Sequence, residues 1–145
     1  MSEVIRSRVD FSESDLRKSN LSGANLNGID LHGSDLSGAN LNKAYFSVAV
    51  LTDAQMNAVE GEETAFFEAN LRGALFSGAR LVRANFGGSF LQGVNFNSTN
   101  LVSSTFKNAK IDNQTTFDGA TIADLGLDGS TIGWPGSCSS SPGPR

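Results

Sequence analysis

ANLRGALFSGARLVRANF, residues 69–86, repeats itself every five residues. Each unit opens on a small residue. A polar residue usually follows, then Leu or Phe, then two more residues, often ending in Gly. A period of five matches neither the ~3.6 of an amphipathic helix nor the ~2 of a half-buried strand. A fixed internal period is instead the mark of a repeat architecture.

The pattern extends outward in both directions. Large apolar centres occupy every fifth place from Phe11 to Ile111, and only Gly61 breaks the rule. Two places before each centre sits a small or aliphatic residue, as at Ala24, Ser34, Ala39 and Ala109, and none of these is charged. Gly favours the second place after the centre, as at Gly23, Gly38, Gly73 and Gly93. Residues two apart in an extended segment point the same way. Each unit therefore sends one large and one small side chain inward and turns at a corner where Gly is favoured. A chain that turns every five residues and keeps its apolar residues inside must wind into a solenoid. Such a fold is stabilised mainly between neighbouring coils.

The units SGANL, HGSDL, EANLRG and GANLN resemble the pentapeptide repeat family, whose repeat is Ala-(Asp/Asn)-Leu-X-X. The resemblance covers residues 9–132. It implies an all-β fold, a right-handed quadrilateral β-helix with four units per coil, here about six coils at ~4.8 Å each. Residues twenty apart then become vertical neighbours. Sorted in that way, Leu26, Phe46, Phe66, Phe86 and Phe106 form one column, and Leu16, Leu36, Met56, Phe76 and Phe96 the opposite one. The other two columns are nearly all Leu.

Three stretches depart from the repeat. In TDAQMNAVEGEETA, residues 52–65, Thr52 and Gln55 form a capping-box pattern and Gly61 is a stop signal. A short helical excursion near 52–61 is one expectation. A coil that stays in register is the other, since Leu51 to Phe66 spans three whole units; it would stack Glu60 beside Arg80 and Glu63 beside Arg83. Near residues 113–116 the frame shifts by one, and Phe117, Ile122, Leu127 and Ile132 become centres, the mark of a bulge. The tail 133–145, rich in Ser, Gly and Pro, is expected to be disordered, with the Trp134 ring lying over one open end of the column. Residues 1–8 form the N-terminal edge, where Val4 and Ile5 supply the cap.

Composition bounds the function. The formal net charge of −4 argues against a broad nucleic-acid or anionic-membrane surface, so direct nucleic-acid binding is not expected. No apolar run approaches the roughly 20 residues of a membrane span, and membrane insertion is not expected either. No signal peptide is visible in MSEVIRSRVDF, and the single cysteine suits a reducing compartment, so the expected location is cytoplasmic. Members of the resembled family are abundant in cyanobacteria and some lie in the thylakoid lumen, which is the alternative for a chain that has lost a presequence. The lone His32 and the tail Cys138 lack the partners that metal binding or thiol catalysis needs. Asp10, Asp15, Asp30 and Asp35 read as turn formers. No catalytic residue, metal ligand or cofactor is expected, and the chain reads as a non-enzyme.

Function is therefore sought on the surface. Residues 1–63 hold ten acids and five bases, net −5, residues 64–111 one acid and five bases, net +4, and the remainder is net −3. Apolar residues fall at outward places at Tyr45, Val48, Val50, Phe67, Leu75, Val82, Phe90 and Val102. Five of them, Tyr45, Val48, Val50, Phe67 and Phe90, share one edge in the twenty-residue frame, a candidate partner-binding edge. The leading expectation is a non-catalytic structural and protein-interaction module with an unknown protein partner. The alternative, implied by the resemblance, is a DNA mimic that binds and protects type II topoisomerases, which needs a strongly anionic rod.

Overall fold

The computed structural model describes residues 8–126. The residues read as caps (Val4, Ile5, Trp134), the centres Leu127 and Ile132, Cys138 and the tail 133–145 lie outside the described residues. Within them the chain is a right-handed quadrilateral β-helix. The residue before each centre bridges in parallel to its counterpart one coil away, from Asp10 with Asp30 to Phe90 with Lys110.

Backbone hydrogen bonding explains the five-residue unit. The unit around Leu71 is representative. The Leu71 amide donates to the Phe90 carbonyl at 2.9 Å and the Gly73 amide to Gln92 at 3.0 Å, both in the next coil. The Ala74 amide closes a turn onto the Leu71 carbonyl at 2.9 Å, and the Asn70 amide reaches Ala49 in the preceding coil at 2.9 Å. One amide remains, that of the residue after the centre, and the Asn or Asp before the centre accepts from it. Asn95 Oδ1 takes the Asn97 amide at 2.8 Å, Asn85 the Gly87 amide at 2.8 Å and Asp30 the His32 amide at 3.0 Å. The repeat's Asn/Asp place is thus an Asx turn that completes the backbone's hydrogen bonding. The second residue after the centre has positive φ, between 54° and 75°, whether it is Gly or not, except after Ile111 where the turn is displaced. Glycine is favoured there because it alone adopts that conformation without Cβ strain.

The interior is dry and columnar. Phe46, Phe66, Phe86 and Phe106 stack with centroids 5.3, 5.1 and 5.1 Å apart. Phe76, Phe96 and Phe117 stack opposite them at 5.4 and 5.2 Å. The two columns meet edge to face, as Phe86 does with Phe96 at 5.4 Å. Both geometries are favoured by the aromatic quadrupole. Polar residues at the small inward places bond to carbonyls; Thr64 donates to Leu41, Thr99 to Phe76 and Ser104 to Leu81, at 2.6–2.8 Å.

The helical excursion near 52–61 does not form. Gln55 bridges to Asp35 and Leu75, and Glu60 to Asn40 and Arg80, without a break in register. Met56 and Val59 are fully buried in the column. A helix would satisfy its own amides but would strand those of the coils above and below, so tertiary pairing overrides the capping box. At Gly61 the missing centre is filled by a neighbour. A Cβ there would lie 2.6 Å from Leu81 Cδ2.

Further along, the bridges lengthen from twenty to twenty-one residues between Phe90–Lys110 and Asn95–Thr116. The extra residue moves the turn to 113–114. Asp112 repairs the gap. Its Oδ1 accepts from the Gly93 amide and from the Gln114 amide, each at 3.0 Å, where the equivalent Gly73 amide uses a backbone carbonyl. Burial works to raise the Asp112 pKa, but these bonds outweigh it and hold the carboxyl below its usual value.

Candidate functional site

The repeat stacks its turns, so each corner is a vertical ladder. One such ladder comprises Asn27–Gly28, Ser47–Val48, Phe67–Glu68, Gly87–Gly88 and Lys107–Asn108. The five candidate residues gather around it. Val48 and Phe67 project from the corner itself, 51% and 44% exposed. Tyr45, 51% exposed, stands on the face before the corner. Val50 and Phe90, both half-buried, stand on the face after it, two coils apart with Asn70 between them.

The other outward apolar residues do not join them. Val82 is buried, and Leu75 and Val102 are half-buried, on other ladders. Phe11, expected inward as a centre, is 48% exposed beside Val9 at 59%.

Between these residues lies a groove of about 450 Å³, bounded by Val48, Phe67, Glu68, Gly88, Phe90 and Lys110. Gly88 lines it, on a rung where the rungs below and above carry Phe67–Glu68 and Lys107–Asn108, while Gly87 beside it is buried. A Cβ on Gly87 would come within 3.3 Å of Phe67 Cδ1, so the ring lies against that bare backbone. Neither the two glycines nor Lys110 was legible in sequence as part of the edge. A Gly-Gly pair among so many corner glycines carries no distinguishing signal until the coil is built.

The apolar side chains displace hydrogen-bond acceptors. Tyr45, Val50, Ala65 and Phe90 hold places where the repeat puts Asn or Asp, and none can cap the following turn as those do. At Ser47 the amide finds Asn27 Oδ1 instead, at 2.7 Å. Among the described residues no acceptor replaces it for the amides of Thr52, Phe67 or Gln92. At the three places without a replacement, the substitution forgoes about 0.5–1.5 kcal/mol of local stabilisation.

Charge sharpens the site. Arg80 and Arg83 are neutralised locally. Arg80 lies 3.3 Å from Glu62 and 4.0 Å from Glu60, and Arg83 pairs with Glu62 and, at 3.4 Å, with Glu63. Among the described residues no ion pair includes Arg72, Lys107 or Lys110. Two of these bases flank Phe90, Arg72 Cζ at 4.5 Å and Lys110 Nζ at 4.7 Å from the ring centroid. Both are within cation–π range. Of the two, Lys110 also lines the groove, which is apolar at its floor with one base, Lys110, and one acid, Glu68, on its rim.

Nothing in the rest of the described surface assembles chemistry. His32 bonds Thr52 Oγ1 at 2.7 Å and lies 3.9 Å from Glu13. Among the described residues no group of His, Cys, Asp or Glu is arranged to hold a metal ion. No helix among them is long and apolar enough to cross a membrane.

The model of the family described as "Pentapeptide repeats" matches the chain in eight copies, over residues 7–33, 29–59, 64–86 and 79–113. The chain belongs to the pentapeptide repeat family. Pentapeptide repeat proteins are structural repeat proteins, and the chain is similar to several solved structures. Trypsin-treated QnrB1, a plasmid-mediated fluoroquinolone resistance protein, matches with a TM-score of 0.52 and 18% identity, over 87% of this chain and 77% of that one. A pentapeptide repeat protein of the Arabidopsis thaliana thylakoid lumen matches with a TM-score of 0.40 and 24% identity, over 76% and 66%. HetL of Nostoc sp. strain PCC 7120, involved in heterocyst differentiation regulation, matches with a TM-score of 0.33 and 23% identity, over 85% and 76%. No match was found among the curated proteins.

Proposed function

We propose that this pentapeptide repeat protein is a non-catalytic interaction module that docks a protein partner along the Tyr45, Val48, Val50, Phe67 and Phe90 edge. The observation that carries the reading is the concentration of departures at one corner. Apolar residues replace turn-capping residues there, a groove opens beside them at Gly88, and Lys110, outside any ion pair among the described residues, stands on its rim. An exposed apolar patch with a polar rim is the usual form of a protein-binding surface. A rigid solenoid holds such a patch without conformational cost on binding. The cytoplasm is the compartment that suits the chain's single cysteine, and the thylakoid lumen is the alternative.

The test is affinity capture with the full chain. Changing Phe67 and Phe90 to Ser should release the copurifying partner while the β-helix remains folded. A variant that keeps every partner would refute the edge. Topoisomerase protection through DNA mimicry is the second reading, suggested by the likeness to QnrB1. It is the weaker one, since residues 64–111 carry five bases against one acid where a duplex mimic needs continuous negative charge.

A further inference from the structure

The corner continues onto a flat face whose outward ladder reads Asp10, Asp30, Val50, Asn70, Phe90, Lys110, one residue per coil. Acids stand at one end, a base at the other, and two apolar residues lie between. Coils are spaced at ~4.8 Å, so Asp30 and Lys110 lie equally far from Asn70, two coils below and two above. Val50 and Phe90 are likewise one coil below and one above. A ladder with this symmetry is its own complement. Laid antiparallel on a second copy, Asp30 meets Lys110, Val50 meets Phe90 and Asn70 meets Asn70.

We propose that the partner of this face is a second copy of the chain, docked antiparallel about a twofold axis that crosses the face at Asn70. The inference rests on the reading of the adjoining corner as an interaction surface and names its occupant.

Shape agrees with charge. A twofold axis across the face keeps each ladder opposite itself, so the corner ladders also meet. Val48 of one copy then faces the groove at Gly88 of the other, and Phe67 meets Phe67. The charged ends are available, because among the described residues neither Asp30 nor Lys110 takes part in an ion pair. Asp30 Oδ1 accepts the His32 amide, which leaves Oδ2 to face outward. The axis also brings Glu68 to Glu68 and Arg72 to Arg72 at the margins. These residues are exposed, and such repulsions are small and screened by salt. A contact of this height is at the low end of stable interfaces, so the association is one to seek at high protein concentration.

Charge exchange tests it. Sedimentation velocity of the full chain at up to about 200 μM should show monomer in exchange with dimer, since interfaces of this size reach such affinities. Asp30→Lys and Lys110→Asp each place like charges opposite one another, and each should weaken dimerisation at least tenfold while circular dichroism stays that of the wild type. An equimolar mixture of the two variants should dimerise again. Between unlike chains each lysine of the Asp30→Lys variant, native or introduced, then faces an aspartate of the Lys110→Asp variant. A wild type that is monomeric throughout, single variants that associate as the wild type does, or a mixture no better than its components would each overturn the proposal. In small-angle scattering the dimer should be scarcely longer than the monomer, and an end-to-end dimer would equally overturn it. A monomeric wild type that still loses its copurifying protein on changing Phe67 and Phe90 would sink the self-association alone and leave the interaction edge standing.

Discussion

At the scale of single residues, the Asn/Asp place of the repeat has a definite job, which is to accept the one amide in five that the coil leaves over. Asn95 serves Asn97 in this way at 2.8 Å. Asn95→Ala should therefore lower stability by about 1 kcal/mol, read as a shift in the urea midpoint at unchanged slope. Asp15 makes the same turn with added charge. Its carboxylate takes Arg17 Nε at 2.9 Å and the Arg17 Nη2 at 2.8 Å, and the Arg17 side chain lowers its pKa from 3.8 to about 2. A folded-state pKa below the unfolded one stabilises the fold above the unfolded value, and that contribution fades as pH falls toward about 2. Carboxyl NMR should place the Asp15 midpoint near 2, and Arg17→Gln should return it toward 3.8. The turn places were legible in sequence as polar, but the acceptor role was not, because it depends on which amides the neighbouring coils leave free.

At the scale of the coil, the period and the Phe columns were legible because both follow from counting residues. At 52–61 two readings stood side by side, a helical excursion and a coil in register, and a capping box, being a local signal, could not decide between them. The coils on either side were already committed to pairing with it, and the strand-like register won. The six-residue spacing from Ile111 to Phe117 did show in sequence, whereas the role of Asp112 as a stand-in carbonyl appeared only with the coil above it. The columns bear most of the packing. Phe86 touches rings on three sides, stacked on Phe66 and Phe106 and edge-on to Phe76 and Phe96. Phe86→Ala should cost about 3–5 kcal/mol, measured by thermal or chemical unfolding. A loss below about 1 kcal/mol would mean that the neighbouring coils collapse into the space.

At the scale of the whole molecule, the fold is a regular scaffold, and five of its outward apolar residues gather around one corner. The clustering of Tyr45, Val48, Val50, Phe67 and Phe90 was legible once residues twenty apart were stacked. The groove was not, since it needs the bare backbone of Gly88 and the Lys110 side chain that the coil above brings beside it. The stacking of Arg80 beside Glu60 and of Arg83 beside Glu63 was legible in the twenty-residue frame, whereas the added hold of Glu62 and the place of Arg72 over Phe90 appeared only in three dimensions. Site-specific photo-crosslinking tests the central claim most directly. A photoreactive side chain replaces Phe67 in one sample and Ser77, on the diagonally opposite corner, in another. Adducts with a protein partner, a second copy included, should form from position 67 and not from position 77. Equal labelling from both positions, or labelling from position 77 alone, would contradict the account.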